Sequence, residues 1–156
     1  MSKKVSLYLL LWLFFSFFCT FSLKAENNEN INILISFSTN RLKRGEPNKL
    51  IIKFKLNSGY YLNYYPLLSI QLKEYPGLNF SKDSFKMNEI DVELLNIGKK
   101  KYVNTNRPIV IPFEVLKDFK RGKYVLKIVF EGFITNINEK YAIKFVNPVE
   151  KEYRIY

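Results

Sequence analysis

From Ile31 onward, apolar and polar residues alternate with period two through most of the chain. No other feature constrains the fold as strongly. Ile31, Ile33, Ile35 and Phe37 fall on one face, with Asn32, Ser36 and Ser38 on the other. Leu50, Ile52, Phe54 and Leu56 alternate with Lys49, Lys53 and Lys55. The period returns in Leu68, Ile70 and Leu72, in Ile109, Ile111, Phe113 and Val115, in Tyr124, Leu126, Ile128 and Phe130, and in Tyr141, Ile143 and Phe145. Successive side chains of a strand point to opposite faces, so each run buries one face and wets the other. Beyond the first 25 residues no window carries a helical period. The pattern predicts an all-β protein.

Turn residues punctuate the runs. Thr39–Asn48, with Gly45 and Pro47, reads as a loop. Tyr75-Pro76-Gly77 is a turn in which Pro presets φ and Gly supplies a positive one. Phe80 and Phe85 suggest that 78–90 is a partly packed crossing between sheets. Ile90, Val92 and Leu94 alternate, then Leu95 and Ile97 continue in the opposite phase, which predicts a β-bulge near Leu94. Gly98-Lys99-Lys100-Lys101 reads as a hairpin tip, and Pro112 as the mark of an edge or a bulge. Val125 and Val129 make the outer face of their run apolar, which predicts a central strand. Glu131–Glu139 reads as a loop or wide hairpin, and Asn147-Pro148 as an interruption before a last short strand over Val149–Ile155. Seven to eight short strands with these turns predict an immunoglobulin-like antiparallel β-sandwich.

The N-terminus is different. Lys3 and Lys4 precede an almost wholly apolar run, Val5–Leu23, and Lys24-Ala25 then meets a polar stretch. This order predicts a signal helix over residues 1–25 and a sandwich domain over 26–156. The apolar run approaches the ~20 residues that span a bilayer, so a retained anchor is the alternative to cleavage after Ala25. Either way the domain is expected to be exported, as a periplasmic or secreted protein, or tethered to the inner membrane if the segment stays.

Loss of the segment removes three lysines and no acid, so the formal charge falls from +11 to +8. It also removes Cys19, the single cysteine, from a chain with no histidine. Disulfide stapling, thiol redox chemistry, Cys-His catalysis and the usual zinc ligand sets are thereby excluded from 26–156. The carboxylates, among them Asp91, Glu93, Glu114 and Glu131, show no spacing that pairs an acid with a base. No catalytic residue, cofactor or metal is expected, and neither is a nucleic-acid partner.

The densest candidate is Gly59-Tyr60-Tyr61-Leu62-Asn63-Tyr64-Tyr65-Pro66. If extended, it places Tyr60, Leu62 and Tyr64 on one side and Tyr61, Asn63 and Tyr65 on the other. One set packs on the sandwich; the other is free to form a recognition surface, because tyrosine gives large contact area at low entropic cost. The lysines at 99–101 and the basic run Lys117 to Lys123 are either solvated surface or a face for an acidic partner or anionic lipid.

A strand, a Gly-containing turn and the aromatic stretch Gly59–Pro66 together resemble the N-terminal immunoglobulin-like domain of the bacterial thiol:disulfide interchange protein DsbD. Arg44-Gly45-Glu46, Pro76-Gly77-Leu78 and Gly122-Lys123-Tyr124 are similar to that family as well. In the family a cysteine pair near the hairpin after the penultimate strand exchanges electrons with a membrane partner. The matching stretch here, Phe130–Glu139, has no cysteine, so this chain cannot perform the exchange alone. The resemblance then implies an exported, non-enzymatic accessory module. It would dock an envelope protein, of thioredoxin-like or DsbD membrane type, through Tyr60, Tyr61, Tyr64, Tyr65, Phe133 and Ile134. Phe133 and Ile134 are read as a loop tip, either in contact with the partner or tucked into the sandwich end. The alternative function is a module that binds glycans or other small ligands with exposed tyrosines. Membrane contact is expected only through a retained N-terminal segment.

Overall fold

Eleven strands form in the computed structural model, which describes residues 28–156. The predicted signal helix falls outside the described residues. In chain order the strands are β1 (Ile31–Phe37), β2 (Pro47–Leu56), β3 (Tyr60–Leu62), β4 (Ser69–Glu74), β5 (Leu78–Phe80) and β6 (Ser84–Lys86). A 3-10 turn over Met87–Glu89 precedes β7 (Leu94–Ile97), β8 (Lys100–Val103), β9 (Ile109–Val115), β10 (Gly122–Asn136) and β11 (Tyr141–Ile155). One sheet has the order β1-β2-β9-β5 and the other β11-β10-β4-β6, with β3 also on β10; β7 and β8 form a separate hairpin. Every strand pairing is antiparallel.

This order is that of an immunoglobulin-like sandwich, strands A, B, E and D facing G, F and C. A second mark of that fold is present at the start of β10. The Tyr124 hydroxyl donates to the Lys120 carbonyl at 2.9 Å, the tyrosine corner that ties strand F to the turn before it. Two residues on, where antibody domains carry a disulfide cysteine, Leu126 is fully buried. Hydrophobic packing takes the place of the staple.

The alternating residues build the core. Burial follows the pattern without a slip along β9, where Ile109, Ile111, Phe113 and Val115 all point inward. From the facing sheet come Ile70, Leu72, Leu126, Ile128 and Phe130. Aromatic edges lock the two layers where Phe54 meets Phe130 at 5.9 Å and Phe37 meets Tyr153 at 5.7 Å, and Phe37 also meets Phe113 of its own sheet at 5.7 Å. Each such side chain contributes about 1.5–3 kcal/mol on burial, which a sandwich without disulfides requires.

The turn at Tyr75-Pro76-Gly77 forms as expected, with Leu78 N–H donating to the Tyr75 carbonyl and Gly77 at φ +72°. The crossing at 78–90 is also found: β5 belongs to the first sheet and β6 to the second. Pro112 sits in β9, just beyond the Phe80–Phe113 pair where β5 stops, so its missing N–H leaves no ladder bond on that side.

Four expectations are corrected. The strand count rises because β3, β5 and β6 are three residues each, too short to show a period. Ile90–Glu93 is not a strand and no bulge lies at Leu94; the phase slip marks a fresh hairpin beginning there. Glu131–Glu139 is not a loop, because β10 runs on to Asn136. Gly132 is needed within that strand, since a Cβ there would lie 2.9 Å from Leu68 and about as close to the Phe145 ring. Asn147-Pro148 does not interrupt β11 either. This is the outer strand of its sheet, and a proline is tolerated where one side of the ladder has no strand to bond.

Candidate partner-binding surface

The tyrosine stretch and the Phe133–Ile134 stretch occupy one place. β3 lies along the far end of β10, pairing Leu62 with Ile134, Tyr61 with Thr135 and Tyr60 with Asn136. Beyond the strand, Asn63 N–H donates to the Phe133 carbonyl at 2.9 Å, and Thr135 Oγ1 donates to Asn63 Oδ1 at 2.7 Å. Gly59, at φ +85°, launches the stretch and accepts from Ile137 N–H at 3.1 Å. The corner is fixed on both flanks.

The predicted two-sided split holds. Tyr60 and Tyr64 are half-buried against the core and Leu62 is fully buried between them. On the other side Tyr61 packs on the buried Tyr102 at 5.5 Å, Asn63 is half-buried, and Tyr65 is 81% exposed. Only Tyr65 of the four is free. Of the other pair, Phe133 is half-buried within β10 and Ile134 has no exposed surface. Of the two readings for Ile134, partner contact or tucked into the sandwich, the second holds, because the strand carries it inward opposite Leu62.

Tyr141 and Tyr102, not singled out from the chain, and the lysines at 99–101, which were, complete the surface. The Tyr141 hydroxyl, at the start of β11, lies 3.0 Å from that of Tyr60. Hydrogen bonds to Tyr60 and then to Glu139 push the Tyr141 phenol up to about 12. The β7–β8 hairpin docks on the same corner, through Tyr64 N–H to the Lys101 carbonyl at 3.3 Å and a bridge between Asn63 and Tyr102. A two-residue turn, Gly98-Lys99, presents Lys99, Lys100 and Lys101 to solvent on the hairpin that Tyr64 bonds. Among the described residues none of these lysines has a carboxylate within 4 Å. The only local signal for the hairpin was its Gly-Lys tip; which element it would touch is not written nearby.

Next to this corner, between the ends of β2 and β3 and the β7–β8 hairpin, runs a groove of about 570 Å³. Lys53, Lys55, Asn57, Tyr60, Tyr61 and Asn104 line it, with no carboxylate in the lining. The Asp91–Glu93 stretch is occupied structurally: Glu93 takes Arg107 at 2.5 Å and Asn104 Nδ2 at 2.9 Å. Among the described residues no group of three His, Cys, Asp or Glu side chains could hold a metal ion. No helix there is long and apolar enough to cross a membrane.

No protein-family model matches the chain, and no curated protein matches it. Solved structures with a similar course include a cohesin module from a Clostridium perfringens ATCC13124 family 33 glycoside hydrolase. It is 11% identical, with a TM-score of 0.42, 80% of this chain covered and 96% of that one. A conjugative transposon lipoprotein from Bacteroides eggerthii DSM 20697 is 8% identical at a TM-score of 0.37, with 81% and 98% covered. Murine CRIg is 8% identical at 0.32, with 80% and 98% covered.

Proposed function

We propose that this chain is an exported, non-catalytic binding module that docks an acidic protein partner through the corner around Tyr65. The observation that carries the reading is the exposure of Tyr65 on a backbone held by β10 on one side and the β7–β8 hairpin on the other. A large aromatic side chain on a fixed base loses little entropy when covered. Tyr141, 39% exposed, and the solvent-facing Lys99–Lys101 extend the surface and complement negative charge. The likeness of Gly59–Pro66 to the DsbD N-terminal domain makes an envelope protein of thioredoxin-like or DsbD membrane type the expected partner. This chain would supply docking and no electrons, because 28–156 contains no thiol.

A photo-cross-linking residue placed at Tyr65 should capture one envelope protein in the cells that make this chain, and one placed at Leu34 on the outer face of β1 should not. Equal capture from both positions, or none from either, rejects the reading. Purified protein should show no thiol-disulfide reductase or oxidase activity.

The groove of about 570 Å³ favours a second reading, a glycan ligand stacked on Tyr60 and Tyr61. Titrating tyrosine fluorescence with glycans and peptidoglycan fragments separates the two: saturation by one of them supports this reading, and silence across the panel removes it.

A further inference from the structure

The chain has twenty lysines and five arginines, and four of the five arginines gather at one end of the sandwich, opposite the surface around Tyr65. Arg41 and Arg44 lie in the loop between β1 and β2, Arg121 precedes β10, and Arg154 is at the end of β11. The lysines of the described residues are spread over the surface, as expected of solubilising charge. The arginines are not. The fifth, Arg107, is engaged by Glu93. Among the described residues the other four have no carboxylate within 4 Å.

Three of the four, Arg41, Arg44 and Arg121, line a cleft of about 590 Å³ together with Lys43, Lys117, Glu46, Asp118 and Tyr156. Five cations there face two carboxylates, and Lys43 and Glu46 neutralise each other at 3.5 Å. Arg41 and Arg154 both lie over the Tyr156 ring, at 5.7 and 5.5 Å. One aromatic ring thus takes two guanidinium groups, neither of which has a carboxylate within 4 Å among the described residues.

The backbone beneath them is fixed. Leu42 is buried between the two loop arginines, and its carbonyl accepts from Tyr156 N–H at 2.9 Å. Gly45 N–H donates to the Val115 carbonyl at 2.7 Å, and the Lys117 side chain lies directly over Gly45. Thr39, held by Asn48, bonds the Arg41 carbonyl at 2.9 Å. The cations therefore stand on a preorganised base rather than on a floppy loop.

We infer that this cleft binds a phosphate-bearing ligand. A guanidinium fork matches a phosphate or a carboxylate with two parallel hydrogen bonds. The charge left over selects between them. One carboxylate brings a single negative charge, whereas a phosphomonoester brings about −1.5 to −2, and a diphosphate more. The cleft volume suits a headgroup or a sugar phosphate. Lipid and soluble sources share this chemistry.

Calorimetric titration of the whole protein with inorganic pyrophosphate and, separately, with short-chain soluble phosphatidic acid tests the assignment. Saturable binding is expected for at least one probe. It should weaken at least tenfold in Arg44→Gln/Arg121→Gln and stay unchanged in Lys100→Gln/Lys101→Gln, which removes the same charge from the opposite end. Both double variants alter exposed side chains, so an unchanged melting curve is the check on folding. Preference for pyrophosphate assigns a soluble ligand and preference for the lipid a headgroup; either supports the site. No saturable binding of either probe, or equal weakening in the two double variants, overturns it.

Discussion

The hydroxyls of Tyr60 and Tyr141 lie 3.0 Å apart across 81 positions of sequence, joining β3 to the first residue of β11. The bond favours the protonated phenol, and Glu139 adds to the effect, so Tyr141 in the folded protein titrates near 12 instead of 10.0. A phenol whose folded value is raised stabilises the fold fully below the unfolded value and loses that contribution as pH climbs through the folded one. The window is therefore about pH 10 to 12. Burial holds the Tyr153 phenol high as well, independently of Tyr60, so phenolate absorbance should show late tyrosines of which one moves back toward 10 in Tyr60→Phe, though not fully, since Glu139 remains. An unchanged late fraction would refute the pairing.

Gly77 and Gly98 both hold positive φ, at +72° and +60°, but in different surroundings. A Cβ at Gly77 would run into the Phe119 ring and lie 2.7 Å from Ile155, whereas nothing is within 4 Å at Gly98. Gly98→Ala should cost only the backbone strain, about 1–2 kcal/mol. Gly77→Ala adds the displacement of packed side chains, bringing it to about 2–5 kcal/mol. Urea midpoints of the two variants measure the difference, and equal values would contradict the packing at the foot of the sandwich.

The tyrosine corner offers a smaller, cleaner perturbation. Tyr124→Phe keeps the ring against Phe119, at 5.2 Å, and removes only the hydroxyl that bonds Lys120. The expected loss is about 0.5–1.5 kcal/mol. An unchanged urea midpoint would show that the corner contributes nothing here.

Legibility of the sequence varied with the range of the interaction. β1, β2 and β9 were readable because each buries one face only, and the alternation Ile109-Ile111-Phe113-Val115 survives intact into the fold. β10 was readable only to Phe130. Gly132 and Asn136 carry loop chemistry, yet Gly132 serves the close approach of Leu68, and Asn136 turns the chain only after the strand ends, accepting from Asn138 and Glu139 N–H. The split of Tyr60 to Tyr65 over two sides follows from local geometry and was visible. What covers each side was not. Tyr61 meets Tyr102, and Tyr60 meets Tyr141, through pairings set by the sheet and not by neighbours in sequence. The arginine cluster shows the same limit: its members lie in three separate segments, and only the sandwich brings them to one end.

Stability and docking should separate when Tyr65 and Phe130 are compared. Phe130 is fully buried and meets Phe54 edge-on at 5.9 Å, bridging the two sheets. Its truncation to alanine removes a buried ring and leaves a cavity, and should cost about 3–5 kcal/mol, a large share of the roughly 5–15 kcal/mol that holds a domain folded. Tyr65 contributes one exposed ring, so Tyr65→Ala should stay within about ±0.5 kcal/mol of the parent. The same Tyr65→Ala protein should nonetheless fail to co-purify with the partner that the cross-linker at that position captures. A variant that is stable but no longer docks places Tyr65 in recognition. A variant that loses about as much stability as Phe130→Ala returns Tyr65 to the scaffold, whatever its exposure.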